Sequence, residues 1–152
     1  MWRKIIVLEN IRSAYNVWNS IRTADALGWE VRITGYTPSP LDNPKVKKTS
    51  LGAEESVHLR QFDYTEDALL ETKAQWITVI AAEITPEATS LTDYRKTSHE
   101  NLAIVFWNEV EWVLPQTLKA VDEVVYIPMH GIKESLNIGQ STAIFMRELG
   151  EK

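Results

Sequence analysis

No cysteine occurs in the 152 residues, which excludes a disulfide framework, a thiolate nucleophile and a thiolate metal site. No apolar run approaches the ~18 residues of a membrane span, and the opening MWRKIIVLEN turns polar too soon for a secretory leader. By default these absences leave a cytoplasmic protein as the expectation. Neither a Gly-x-Gly-x-x-Gly run nor a phosphate loop is present, which disfavours an unrelated small-molecule α/β enzyme built around a nucleotide. Positive charge is scarce too: 16 Lys and Arg against 21 Asp and Glu give a formal net charge of −5. That argues against a protein that coats nucleic acid, but not against one that grips RNA locally. The densest basic cluster is Lys45, Lys47 and Lys48 with Arg60, otherwise readable as a solvated loop. His58, His99 and His130 lack metal-ligand spacing, so no metal is expected and a structural or surface role is assigned to each.

What is present is ordinary for a globular chain: 44% hydrophobic and 24% charged residues. One domain over 1–152 is the simplest reading. Lys4–Leu8, Val31–Tyr36, Trp76–Ala82, Leu102–Phe106 and Val124–Ile127 read as strands, with Trp76–Ala82 the most clearly buried. Ala14, Val17, Trp18, Ile21, Ala24 and Leu27 recur at three- and four-residue steps, predicting a helix capped by Ser13 and ended by Gly28. Glu66–Lys73, Pro86–Tyr94 and Pro115–Ala120 are expected to be short helices, and a last helix is expected from near Ser135 to about Leu149. Alternation of this kind predicts an α/β domain with a mainly parallel sheet flanked by helices. Ligands gather beyond the carboxyl ends of such strands, so Glu9–Ser13, Glu83, Asn108–Glu109 and Pro128–Asn137 are the segments to watch.

Three of those segments carry a resemblance. Asn10, Arg12, Val17, Asn19, the run Arg22-Thr23-Ala24-Asp25-Ala26 and Gly28 form the first motif. Phe106, Asn108, Glu109, Glu111 and Val113 form the second. Ile127-Pro128-Met129, Gly131 and Ser135-Leu136-Asn137 form the third, and KTSLGAEESV lies between the first and second. In order and spacing the chain resembles the SpoU/TrmH family of RNA ribose 2′-O-methyltransferases along essentially its whole length. The resemblance implies a C-terminal trefoil knot, an exception to the unknotted rule. It also implies S-adenosylmethionine as methyl donor, a homodimer, and a ribose 2′-hydroxyl in tRNA or rRNA as acceptor, with tRNA favoured. The additional N-terminal RNA-binding domain of many members is not expected here.

Carried onto these residues, the resemblance points to Arg22, Asn16, Glu109, Ser135 and Asn137 as the catalytic set. Backbone at Trp107, Ile127, Met129 and Leu136 is implied to hold the cofactor, and Asn10, Arg12, Lys47 and Lys48 the RNA. Arg22 stands at the position to which the family assigns the base or its activation. A guanidinium with a pKa above ~12 is a poor base, and a bidentate grip on phosphate suits it better. A surface salt bridge with Asp25 is the plain alternative. Asn10 and Asn16 serve equally as turn or cap residues, and Ser135 equally as an N-cap. Glu109 is expected to hold loop N–H groups or a basic residue of the first motif.

Tryptophan at 18, 107 and 112 stands where that family usually has glycine. Indole at position 107 falls on an implied cofactor contact, where a tight turn or close approach needs no side chain. Six tryptophans is a high count, and six glycines is about 4% where about 7% is usual. One reading is UGA codons that mean glycine in the source genome, written here as tryptophan, with Trp2, Trp29 and Trp76 as further candidates. The rival is a catalytically inactive dimeric RNA-binding homologue whose cofactor pocket is filled by Trp107.

Overall fold

The computed structural model describes residues 2–40, 42, 56–94, 100–108 and 114–150. Strand β1 (Lys4–Glu9) is buried along its whole length, as its KIIVLE run requires. Helix α1 (Ala14–Leu27) starts where Ser13 accepts the N–H of Asn16 at 3.2 Å. It stops at Gly28, whose φ of 74° is the left-handed turn that glycine adopts without a Cβ penalty. Val17, Ile21 and Ala24 of the expected stripe are buried, but Leu27, the last residue of the helix, is exposed.

Strand β2 (Glu30–Thr34) follows, then β3 (Leu59–Phe62), helix α2 (Thr65–Ala74) and β4 (Thr78–Ala82). The two-residue β5 (Thr89–Ser90) leads to β6 (Leu102–Trp107), α3 (Pro115–Ala120), β7 (Glu123–Tyr126) and α4 (Ile138–Leu149). The sheet order is β3-β2-β1-β6-β4-β7-β5, and every pair is parallel. Alternation divides the strands between two faces. Ile6 and Leu8 join Val17, Ile21, Phe145 and Met146 under α1 and α4, while Ile5 and Val7 join Leu69 under α2. Covering both faces in this way is what a parallel sheet demands.

Four sequence expectations are corrected. Pro86–Tyr94 is not a helix: Thr89 and Ser90 pair with β7, and the Leu91 N–H continues the edge by donating to the Tyr126 carbonyl at 2.7 Å. Two β-branched or hydroxyl residues beside an open strand edge gain ladder bonds that an isolated short helix lacks. The strand expected from Trp76 begins at Thr78, because Trp76 sits at φ 60° in the turn that ends α2. The strand expected to reach Tyr36 ends at Thr34, where Gly35 turns at φ 64°. Finally, α4 starts at Ile138 and not Ser135; its cap is Asn137, whose Oδ1 accepts the Gly139 N–H at 2.8 Å. Strand β3 was not anticipated, since LRQF is short and half-polar, as an edge strand is.

Candidate active site

Carboxyl ends of β4, β6 and β7 open into one cavity of about 830 Å3. Ala82 to Ile84 form one wall, Phe106 to Asn108 another, and Tyr126, Ile127 and Met129 a third. The 131–136 loop and the first turns of α4, through Ile138, Ser141 and Phe145, complete it. Every residue expected to hold a cofactor lines this space: Trp107, Ile127, Met129 and Leu136, with Ser135 beside them. Trp107 stands at the wall, half-buried and packed toward the cluster of Val105 and Val79, and the cavity remains open beside it. The expectation of a pocket filled by indole gains no support from that arrangement.

A second group gathers where α1 meets α4. The Asn137 amide donates to Asn16 Oδ1 at 3.2 Å, while its own Oδ1 caps α4. Deeper along the same seam, the Ser20 and Thr142 hydroxyls pair at 3.1 Å in a buried contact. Asn137 therefore clamps two helix N-termini and does not line the cavity. Arg22 is exposed on α1, its guanidinium 5.8 Å from the centre of the Trp18 ring. Asn10, at φ 51°, turns its side chain inward to accept the Tyr36 N–H at 3.2 Å. Arg12 is exposed, whereas Glu109, Trp112, Lys47 and Lys48 lie outside the described residues.

A sequence model described as the SpoU rRNA Methylase family matches residues 3–147. The chain belongs to that family. It is 26% identical over 147 residues to a tRNA (guanosine(18)-2′-O)-methyltransferase of Aquifex aeolicus, covering 95% of this chain and 67% of that one. It is 30% identical over 146 residues to the 23S rRNA (guanosine-2′-O-)-methyltransferase RlmB of Escherichia coli K12, covering 95% and 58%. A solved structure described as giving insight into 2-OH methylation of C/U34 on tRNA superposes with a TM-score of 0.84 at 28% identity, covering 97% of this chain and 94% of that one. The family named by the three motifs is thus the family found.

Within this SpoU-family chain, buried polar groups hold the cavity's walls in place. Asn108 is 7% exposed, and its amide donates to the Asn10 carbonyl at 2.8 Å and the Tyr36 hydroxyl at 3.1 Å. That ties the end of β6 to the loop after β1, a role visible only once β1 and β6 are neighbours. Glu83, half-buried at the cavity's wall, accepts the Ile84 N–H at 2.6 Å, and burial pushes its pKa above the ordinary carboxylate value. Glu9, in register with Trp107, is buried and accepts the Thr117 hydroxyl at 2.9 Å. Desolvation raises its pKa too, against the opposing bonds from Thr117 and Thr65. The sequence had flagged Glu83 only as a polar residue after a strand, and Ser141 and Phe145 gave no separate signal.

Among the described residues no helix is long and apolar enough to cross a membrane, and no group of acidic, histidine or cysteine side chains forms a metal site.

Proposed function

We propose that this chain transfers a methyl group from S-adenosylmethionine to a ribose 2′-hydroxyl of RNA, with tRNA as the acceptor. The observation that carries this reading is convergence. Second-motif residues Phe106 and Asn108 and third-motif residues Ile127, Met129, Ser135 and Leu136 are far apart in sequence, yet they wall one cavity. Its volume is of the size that encloses a small organic ligand. Its lining fits the cofactor: Ile127, Met129, Leu136 and Phe145 offer apolar faces, while Glu83 and Ser141 offer polar atoms. When bound, S-adenosylmethionine supplies an electrophilic methyl on a sulfonium.

The chain's own residues have the remaining tasks. Arg22, solvent-exposed on α1, is assigned the grip on an RNA phosphate that orients the attacking ribose. Ser135, at the cavity's rim on an exposed loop, is assigned to the ribose itself. Asn16 and Asn137 fix the two helix ends against each other and act by positioning. Arg12, Lys47 and Lys48 are assigned to the RNA backbone; Glu109 is assigned to the loop after β6. A single domain over 1–152, a trefoil knot at the third motif, a homodimer and a cytoplasmic location complete the proposal. Support for tRNA comes from the similarity, over nearly the whole of both chains, to the structure concerned with C/U34 on tRNA.

Calorimetry with S-adenosylmethionine, followed by methyl transfer to tRNA and rRNA transcripts, tests the reading. Binding with transfer to tRNA is expected. Arg22→Ala should keep cofactor binding and abolish transfer. Retained turnover in that variant refutes the role given to Arg22, and transfer to rRNA alone refutes the choice of acceptor.

A further inference from the structure

Trp76 occupies an unusual backbone position. Helix α2 ends at Ala74 with Gln75 as its cap, and Trp76 follows at φ 60°, its N–H donating to the Lys73 carbonyl at 3.0 Å. The first residue past a helix in the left-handed region is most often glycine, because a Cβ there crowds the backbone. Helix α1 of this chain ends on glycine, at Gly28 with φ 74°. Among the described residues only Asn10 and Trp76 have positive φ without being glycine, and asparagine tolerates the region well. The indole at 76 gains nothing in return, being 92% exposed.

Two further tryptophans are partly buried against core clusters, yet each carries a specific cost. Trp18 has its indole N–H buried without a hydrogen-bond partner, although buried tryptophan N–H groups ordinarily find one. Its ring also lies under the Arg22 guanidinium, at 5.8 Å, so the side chain proposed to grip RNA rests on it. Trp107 places indole at the wall of the cofactor cavity, at the end of β6. Trp29 carries neither cost: it is 3% exposed inside the main core, and its indole N–H is not among the buried groups left without a partner.

We propose that the protein specified by its gene carries glycine at 18, 76 and 107, through UGA codons that its own translation system reads as glycine. The three positions share no contact and no element, so one cause at the level of the codon explains them together. At 76 glycine removes the strain; at 18 it removes the orphaned N–H and releases Arg22; at 107 it widens the cavity and bares its backbone. The argument at 76 stands on backbone geometry alone, whereas that at 107 rests also on the methyltransferase reading.

The gene's codons give the first test: UGA at 18, 76 and 107 is expected, and UGG at these positions overturns the proposal. Protein variants give the second. Trp76→Gly is expected to raise the thermal midpoint, and Trp76→Ala to fall short of it, because alanine carries the Cβ that φ 60° disfavours. Equal midpoints for the two variants overturn the geometric argument. Trp107→Gly is expected to bind S-adenosylmethionine at least tenfold more tightly than the chain with Trp107, and unchanged affinity overturns that part. Absence of binding in both forms, with UGA found in the gene, would sink the cofactor reading and leave the codon assignment standing.

Discussion

Asn137 is the residue whose replacement separates positioning from chemistry most cleanly. Its Oδ1 satisfies the Gly139 N–H at 2.8 Å and its amide donates to Asn16 Oδ1 at 3.2 Å, so one side chain performs two tasks. Truncation in Asn137→Ala removes the cap, at about 1 kcal/mol, and an exposed inter-helix bond at the low end of the ~0.5–1.5 kcal/mol range. Together about 1.5 kcal/mol is expected, or roughly 4 °C in the thermal midpoint of a chain this size. Aspartate separates the two tasks. It caps a helix as well as asparagine does, but it sets a carboxylate against Asn16 Oδ1 with no proton to donate. Asn137→Asp is therefore expected to retain most of the stability while losing the tie between α1 and α4. Thermal unfolding reads the first effect. Methyl transfer under saturating S-adenosylmethionine reads the second, and it should fall at least tenfold in both variants if Asn137 positions Asn16 and α1. If the aspartate variant unfolds as early as the alanine variant, the cap assignment is wrong. Full turnover in either variant would refute the positioning role.

Three other outcomes follow from the same geometry. Gly35→Ala should cost about 2–3 kcal/mol by chemical denaturation: an L-residue at φ 64° is strained by about 1–2 kcal/mol, and its Cβ would fall 1.9 Å from Asn10 Oδ1, displacing that side chain from the Tyr36 N–H. Burial raises the pKa of Glu9, so the folded state keeps its proton longer than the unfolded chain does. Stability is then fully present below the ordinary carboxylate value and falls as pH rises through the raised one; Glu9→Gln should remove that fall, and a parallel pH profile would refute it. Glu30 has the opposite sign. Its two carboxylate oxygens accept from Arg3 Nε and Nη2, both at 2.8 Å, holding its pKa below the ordinary range. Its stabilisation is present above the ordinary carboxylate value and lost as pH falls through the lowered one. Arg3→Ala should cost about 1 kcal/mol near neutrality, given how far the pair meets solvent, and little in acid.

Where local chemistry dictates structure, residues could be read directly from the chain. KIIVL and LAIVF can only be buried strands, and the stripe of Val17, Ile21 and Ala24 between Ser13 and Gly28 can only be a capped helix facing a core. The family was legible for a related reason: its motifs sit after strands, in loops whose residue types answer to a ligand and not to packing. Misreadings came where a neighbour decided. Thr89 and Ser90 are a strand only because β7 offers an edge, and LRQF only because β2 does. Ser135 and Asn137 are both good caps, two residues apart, so local chemistry did not choose between them; in the fold Asn137 caps α4 and also reaches Asn16.

By itself, then, the sequence determined the alternation of strands and helices, the family, and the segments from which a site is made, because periodicity, caps and motifs are local properties. Tertiary structure alone decided which of those segments share a cavity and which share a seam. Strand order brings β4, β6 and β7 side by side, so Trp107 meets Ile127 and Leu136 across a cavity, while Asn137 turns aside to hold α1. It also showed Trp76 at a backbone angle that composition could never report, since a dihedral belongs to the folded chain and not to the residue.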